Sequence, residues 1–100
     1  MLEIRFLREA QQELEEARVW YENSHPGLGS QSAEVIRTKL ESVRENPELY
    51  AIVDGDLRVA SIKRFPYAIY FTAGTDTIDV WAVFHHSRDP AVWQARRGET

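Results

Sequence analysis

Tyr67-Ala68-Ile69-Tyr70-Phe71-Thr72-Ala73, then Gly74-Thr75-Asp76, then Thr77-Ile78-Asp79-Val80-Trp81-Ala82-Val83-Phe84-His85 is the stretch on which the fold turns. The first run is rich in aromatic and β-branched side chains, which suit a pleated, half-buried surface. Gly74-Thr75-Asp76 supplies turn residues, so the two runs predict an antiparallel hairpin. In 77–85, Ile78, Val80, Ala82 and Phe84 alternate with Asp79, Trp81, Val83 and His85. The second set is itself partly apolar, so this strand is expected at the centre of its sheet.

Working outward, Asp54-Gly55-Asp56 reads as a turn, and residues 57–64, with Leu57, Val59 and Ile62, as a further strand that Phe65-Pro66 interrupts. Upstream, Leu7, Ala10, Leu14, Ala17 and Tyr21 recur at spacings of three and four, which predicts an amphipathic helix over about 8–23. Glu9, Glu13 and Glu16 then fall on its solvent side, as a wet helix face rather than an acid/base pair. Ala33, Ile36, Leu40 and Val43 mark a second helix over about 28–45. Asn23 to Gly27 separates the two, and Asn46-Pro47 ends the second, because a residue before proline is pushed out of helical geometry. Leu2, Ile4 and Phe6 alternate with Glu3 and Arg5 as a short first strand. The expected architecture is a single α+β domain over 1–100. An N-terminal strand is followed by a helical hairpin packed on an antiparallel three-strand meander (β-α-α-β-β-β), with a short helical tail near 90–96.

Composition narrows the function. A hydrophobic fraction of 43% in 100 residues is enough for one core. There is no cysteine, hence no disulfide framework and no thiolate metal site. The start carries charge too early for a signal peptide, and the longest apolar runs, such as Val80 to Phe84, are far short of the roughly 20 residues of a membrane span. A cytoplasmic protein is expected. The net charge is −4, and the excess acid lies in residues 1–50, which hold six Lys/Arg against ten Asp/Glu; residues 51–100 hold six of each. Grip on nucleic acid through phosphates usually demands a basic excess, so direct nucleic-acid binding without a partner is disfavoured.

Three groups of residues remain as candidates. His85 and His86 are adjacent, and neighbouring side chains in a strand point to opposite faces, so they do not chelate one metal; a metal site is not expected. Either could act as a general acid or base, since histidine titrates near neutrality, against a simpler reading as one packed and one solvated strand-end residue. Arg58, Lys63, Arg64 and Arg88, with Arg96 and Arg97 at the tail, form a basic group whose first four members could gather near one sheet edge as a partner-binding surface, against a reading as solvated rim charges; Arg88-Asp89 could equally be a local pair. Trp20 and Trp81 are expected in the core. Trp93 is expected either to pack the tail on the sheet or to anchor a partner.

His25-Pro26-Gly27-Leu28-Gly29, Glu45-Asn46-Pro47-Glu48-Leu49-Tyr50, Lys63-Arg64-Phe65-Pro66-Tyr67-Ala68-Ile69-Tyr70-Phe71, and Val83-Phe84-His85-His86-Ser87-Arg88-Asp89-Pro90 with Trp93 together resemble the ParE/RelE toxin superfamily of type II toxin–antitoxin systems. The resemblance spans nearly the whole chain and is closer to the ParE-like plasmid-stabilisation branch. It implies a toxin neutralised by a cognate antitoxin, without a cofactor. In RelE-like members it implies a ribosome-dependent mRNA interferase; in ParE-like members, a DNA gyrase inhibitor that acts by binding. By that resemblance one RelE catalytic arginine falls at Ala68 and two lysines near Val59 and Ser61, while the tail tyrosine is replaced around Trp93. Only the basic position near His86 or Arg88 is kept, and alanine, valine and serine cannot neutralise a phosphorane-like transition state. The expected reading is therefore a ParE-like gyrase inhibitor, not an enzyme, with Arg58, Lys63, Arg64, Arg88 and Trp93 contacting partners. The alternatives are an altered interferase using His85, His86 and Arg88, or an inert family member.

Overall fold

The structure, a computed structural model, describes residues 2–86 and 88–98. Strand β1 (Glu3–Phe6) leads into helix α1 (Arg8–Ser24), and α2 (Leu28–Glu45) returns antiparallel to it. A 3-10 turn (Pro47–Leu49) then opens into β2 (Ala51–Asp54), β3 (Leu57–Ser61), β4 (Tyr67–Ala73) and β5 (Thr77–His85), and α3 (Ala91–Gly98) closes the described chain. The sheet order is β1-β5-β4-β3-β2, with β1 parallel to β5 and every other pair antiparallel. The α+β class and element order agree with the sequence reading. One strand was missing from it: β2 is too short and too exposed to alternate, and its backbone is held only by pairing with β3 across the Gly55 turn. The meander therefore has four strands.

The inter-helix turn is a local construction. Gly27 takes a left-handed φ of 89°, which glycine adopts without a Cβ penalty. It also means that α2 has no capping side chain at its own N-cap. Glu22, in the last turn of α1, caps it instead: its carboxylate accepts from the Gly27 amide at 2.9 Å and the Gly29 amide at 3.1 Å. These amides hold the Glu22 carboxyl below its ordinary 4.5, the Gly27 bond most of all. A carboxyl depressed on folding contributes stability that is present above the unfolded value and lost as pH falls through the folded one. Glu22→Gln is expected to lower stability at neutral pH, with the gap to the parent chain closing as urea titrations are taken below pH 4.5; a gap that stays constant with pH would rule out the charged cap.

The main core lies between the hairpin and one sheet face. Ala10, Tyr21, Ile36, Leu40 and Val43 from the helices meet Ala60, Ile69, Phe71, Ile78, Val80 and Val83 from the strands. A smaller core on the opposite face joins Leu57, Ala82, Phe84 and Trp93, flanked by Tyr70 and Trp81. Each large side chain fully withdrawn from water contributes about 1.5–3 kcal/mol before entropy is counted.

The sheet corrects the expected alternation of β5. Tyr70 pairs with Ala82 and Phe71 with Val80, so Trp81 has no opposite number on β4. This bulge adds one residue and reverses the phase of everything after it. Ile78, Val80 and Val83 face the hairpin, while Ala82 and Phe84 face α3. A strict period of two would have put Ala82 and Phe84 with Ile78 and Val80. β5 is an interior strand, between β1 and β4, while β4 takes the middle of the sheet.

Candidate functional site

Glu13 is a further correction. It lies not on a wet helix face but buried, with 7% of its side chain exposed. The cause is the shortness of β1, whose pairing with β5 ends at Phe6–Val80. Beyond that point β5 has backbone groups that β1 does not reach, and side chains serve them. Glu13 Oε1 accepts from the Val83 amide at 3.0 Å, and Arg96 Nη1 donates to the Trp81 carbonyl at 3.2 Å. The same carboxylate takes both Arg96 Nη atoms, at 3.0 and 2.7 Å, and Arg88 Nη1 at 2.9 Å. Two arginines thus converge on one carboxylate, and both stand over the Phe84 ring, at 4.2 Å for Arg88 and 5.4 Å for Arg96. Position 13 is three residues from Ala10 and four from Ala17, at the edge of the buried stripe, and only its charge suggested the solvent side; the carboxylate is needed because β5 would otherwise carry an unanswered amide there.

Arg96, which the sequence reading placed only among the basic residues of the tail, is thereby a structural link that ties α3 to α1 and β5. Arg97 adds a bond to Asp56 and stands 4.6 Å over the Trp81 ring. Trp93 stacks on Tyr70 with ring centroids 5.0 Å apart and is only 4% exposed. Of its two expected roles, the structure provides packing of the tail; its ring is not presented to a partner in this conformation. Asp89 caps α3 by accepting from the Ala91 amide, so the expected Arg88-Asp89 pair is replaced by Arg88–Glu13.

The other basic candidates do not gather at one edge. Arg58 donates to the Tyr50 carbonyl at 2.7 Å and pins the 3-10 turn to β3. Lys63 and Arg64 are exposed in the β3–β4 connection, where Arg64 reaches Gln31 of α2 at 3.2 Å. Arg88 lies apart from them beside Glu13. His85 is half-buried and meets the Tyr67 ring edge-on at 5.3 Å, whereas His86 is exposed in the turn. Ser87 lies outside the described residues.

Between α1 and the end of β5 runs a groove of about 650 Å3, walled by Trp20, Tyr21, Tyr67 and Pro66 and edged by Arg88 and Glu16. Its aromatic lining forms a ladder, Trp20–Tyr21–Tyr67–His85, joined edge to face at centroid distances of 5.0, 6.1 and 5.3 Å. Burial pushes the Tyr21 and Tyr67 hydroxyls above their ordinary range, so both are neutral donors at physiological pH. Trp20, expected in the core, is 62% exposed. The helical stripe Ala10–Ala17–Tyr21 is already complete without it, and it projects at the lip. Among the described residues, no cluster of three metal-ligating side chains occurs, and no helix is long and apolar enough to cross a membrane.

A helical hairpin laid on one face of a meander, with a parallel first strand and a small tail helix on the other face, is the fold of a known class. A chain solved in the "Chromosomal ParDE TA system from P. aeruginosa" superposes with a TM-score of 0.74 at 15% identity, over 85% of this chain and 96% of that one. The family model for the ParE toxin of type II toxin–antitoxin system, parDE, matches residues 4–90. The chain belongs to the ParE toxin family. Among curated protein sequences, none matches it.

Proposed function

We propose that this chain is a cytoplasmic toxin that inhibits DNA gyrase by binding it and is neutralised by a cognate antitoxin. Membership of the ParE family supports the toxin–antitoxin part. The observation that favours binding over catalysis is the sheet face beneath α3. The positions that correspond by resemblance to RelE-like catalytic groups are Val59, Ser61 and Ala68, and they are cross-strand neighbours there: Val59 pairs with Tyr70, Ser61 with Ala68, and Ala68 with Phe84. Ala68 is buried, and Trp93 packs over the adjoining Tyr70. None of the three bears a cation, only the basic position near His86 or Arg88 is kept, and losing such donors costs phosphoryl chemistry orders of magnitude in rate. Lys63, Arg64 and Arg88 remain the basic side chains most available to partners, while Arg58 and Trp93 act by holding the framework.

The test is supercoiling of relaxed plasmid by gyrase with the purified protein, with and without antitoxin. Dose-dependent loss of supercoiling with accumulation of cleaved DNA, reversed by antitoxin, is expected. No effect at a dose that still arrests growth would overturn the gyrase reading and favour ribosome-dependent mRNA cleavage, with His85, His86 and Arg88 as the first positions to substitute.

A further inference from the structure

We propose that the groove between α2 and the β3–β4 connection is the surface that grips the target protein, and that the target fills it with an acidic segment in which carboxylates flank an apolar side chain. This rests on the gyrase reading and adds to it a place and a chemistry. The groove, of about 310 Å3, takes one wall from Val35, Thr38 and Lys39 of α2 and the other from Ile62, Lys63 and Arg64. A further hollow continues it past Arg64 to Gln31 and Ser30. Together they follow α2 from residue 30 to residue 42, about 18 Å at the helical rise. That length seats about five or six residues of extended chain.

Charge sets the occupant's chemistry. The chain as a whole carries −4, yet this groove holds a surplus of cations. Most arginines elsewhere are engaged by carboxylates, as Arg5, Arg18, Arg44 and Arg97 are. Lys39, Lys63 and Arg64 form no ion pair among the described residues. The contacts of two of them are neutral: Lys39 stands over the Tyr50 ring, and Arg64 over the Phe65 ring while donating to the Gln31 side-chain oxygen. Glu34 is the one acid among the described lining residues, and Arg37 of the same helix answers it. Three unneutralised cations beside Val35 and Ile62 attract carboxylates and accommodate an apolar side chain between them. A nucleic-acid backbone makes no use of the apolar walls and meets Glu34 with like charge.

Two partners need two surfaces. The aromatic groove takes its helical wall from α1 alone and this one from α2 alone, so they open on opposite flanks of the hairpin, and a partner in one leaves the other open. Cations around a shallow groove speed encounter, which suits a target that must be found in the cell. A resident inhibitor depends instead on slow release from a buried interface.

The experiment is gyrase supercoiling of relaxed plasmid with the full chain, paired with calorimetric titration of the antitoxin. Lys63→Glu and Arg64→Glu, both at exposed positions, are each expected to raise the dose for half-inhibition about tenfold, as for a charge reversal at a complementary interface. Arg8→Glu makes the same change of charge at the exposed first residue of α1 and is expected to raise it less than about twofold. Antitoxin affinity is expected to stay at that of the parent chain in all three, and a thermal melt checks that each is folded. If the parent chain inhibits gyrase and both groove variants inhibit at the same dose, the groove assignment is overturned while the gyrase reading stands. An equal loss in Arg8→Glu would assign the effect to net charge, and loss of antitoxin affinity in the groove variants would assign the groove to the antitoxin; either overturns the proposal. A loss matched by lost affinity for duplex DNA without gyrase makes the occupant a nucleic acid and overturns it as well. If the parent chain leaves gyrase unaffected, the gyrase reading fails and takes the occupant with it.

Discussion

Glu13→Ala is expected to destabilise the fold by about 3–5 kcal/mol, the usual cost of removing one partner from a buried charge pair. The magnitude follows from what is left behind rather than from what is lost. Arg96 is only 14% exposed and would lose the carboxylate to which both of its Nη atoms donate. The Val83 amide would lose its acceptor inside the protein, a further unmet donor. Arg88 would lose less, because at 42% exposure water can replace the carboxylate. Arg88→Ala is accordingly expected to cost about 1 kcal/mol or less. Urea denaturation measures these differences, and a double-mutant cycle of Glu13→Ala with Arg96→Ala isolates the pair; near-additive single effects would show that the two are not coupled. The loss should be local before it is global. α3 is held by Arg96, Arg97 and Trp93, so its amides are expected to lose exchange protection first in the Glu13 variant.

Gly29→Ala is the second large effect, and here two terms oppose each other. Alanine in place of glycine within a helix favours folding by about 1 kcal/mol on propensity alone. Against this, a Cβ at position 29 would lie 2.5 Å from the Arg18 carbonyl oxygen and 2.9 Å from the Glu22 Cβ. The Arg18 oxygen is backbone in the middle of α1 and cannot swing aside, so α2 must move away from α1 as a body. That movement also opens the main core and pulls the Gly29 amide off Glu22. Overpacking costs typically 1–3 kcal/mol and here acts together with a lost cap, so a net destabilisation of about 2 kcal/mol is expected. A larger side chain, as in Gly29→Val, should cost more. A thermal melt of Gly29→Ala at or above that of the parent chain would mean that the helices separate freely, and would remove close helix contact as the reason for glycine here.

Both effects arise where the fold departs from local pattern. The two helices were legible from the spacing of Ala10, Ala17 and Tyr21 and of Ile36, Leu40 and Val43, because a helix that must bury one face repeats its apolar residues at the helical period. The hairpin of β4 and β5 was equally legible from its β-branched and aromatic runs around Gly74-Thr75-Asp76. Strand β2 was not, since its residues are exposed and only the partner strand makes them extended. Of the candidate site, Arg88 could be singled out from sequence, but its partner could not. Glu13 lies 75 residues away at the edge of the buried stripe of α1, where its charge reads as solvated.

Sequence alone determined the helices, the main strands and the resemblance to toxins, because each is written in the order and spacing of residues near one another along the chain. Tertiary structure decided the rest. The extra residue at Trp81 reversed the faces of β5, the early end of β1 left an amide that Glu13 had to meet, and the completed helix stripe left Trp20 outside the core. Each depends on which backbone groups and surfaces remain unsatisfied once distant segments have come together, and no local pattern carries that quantity.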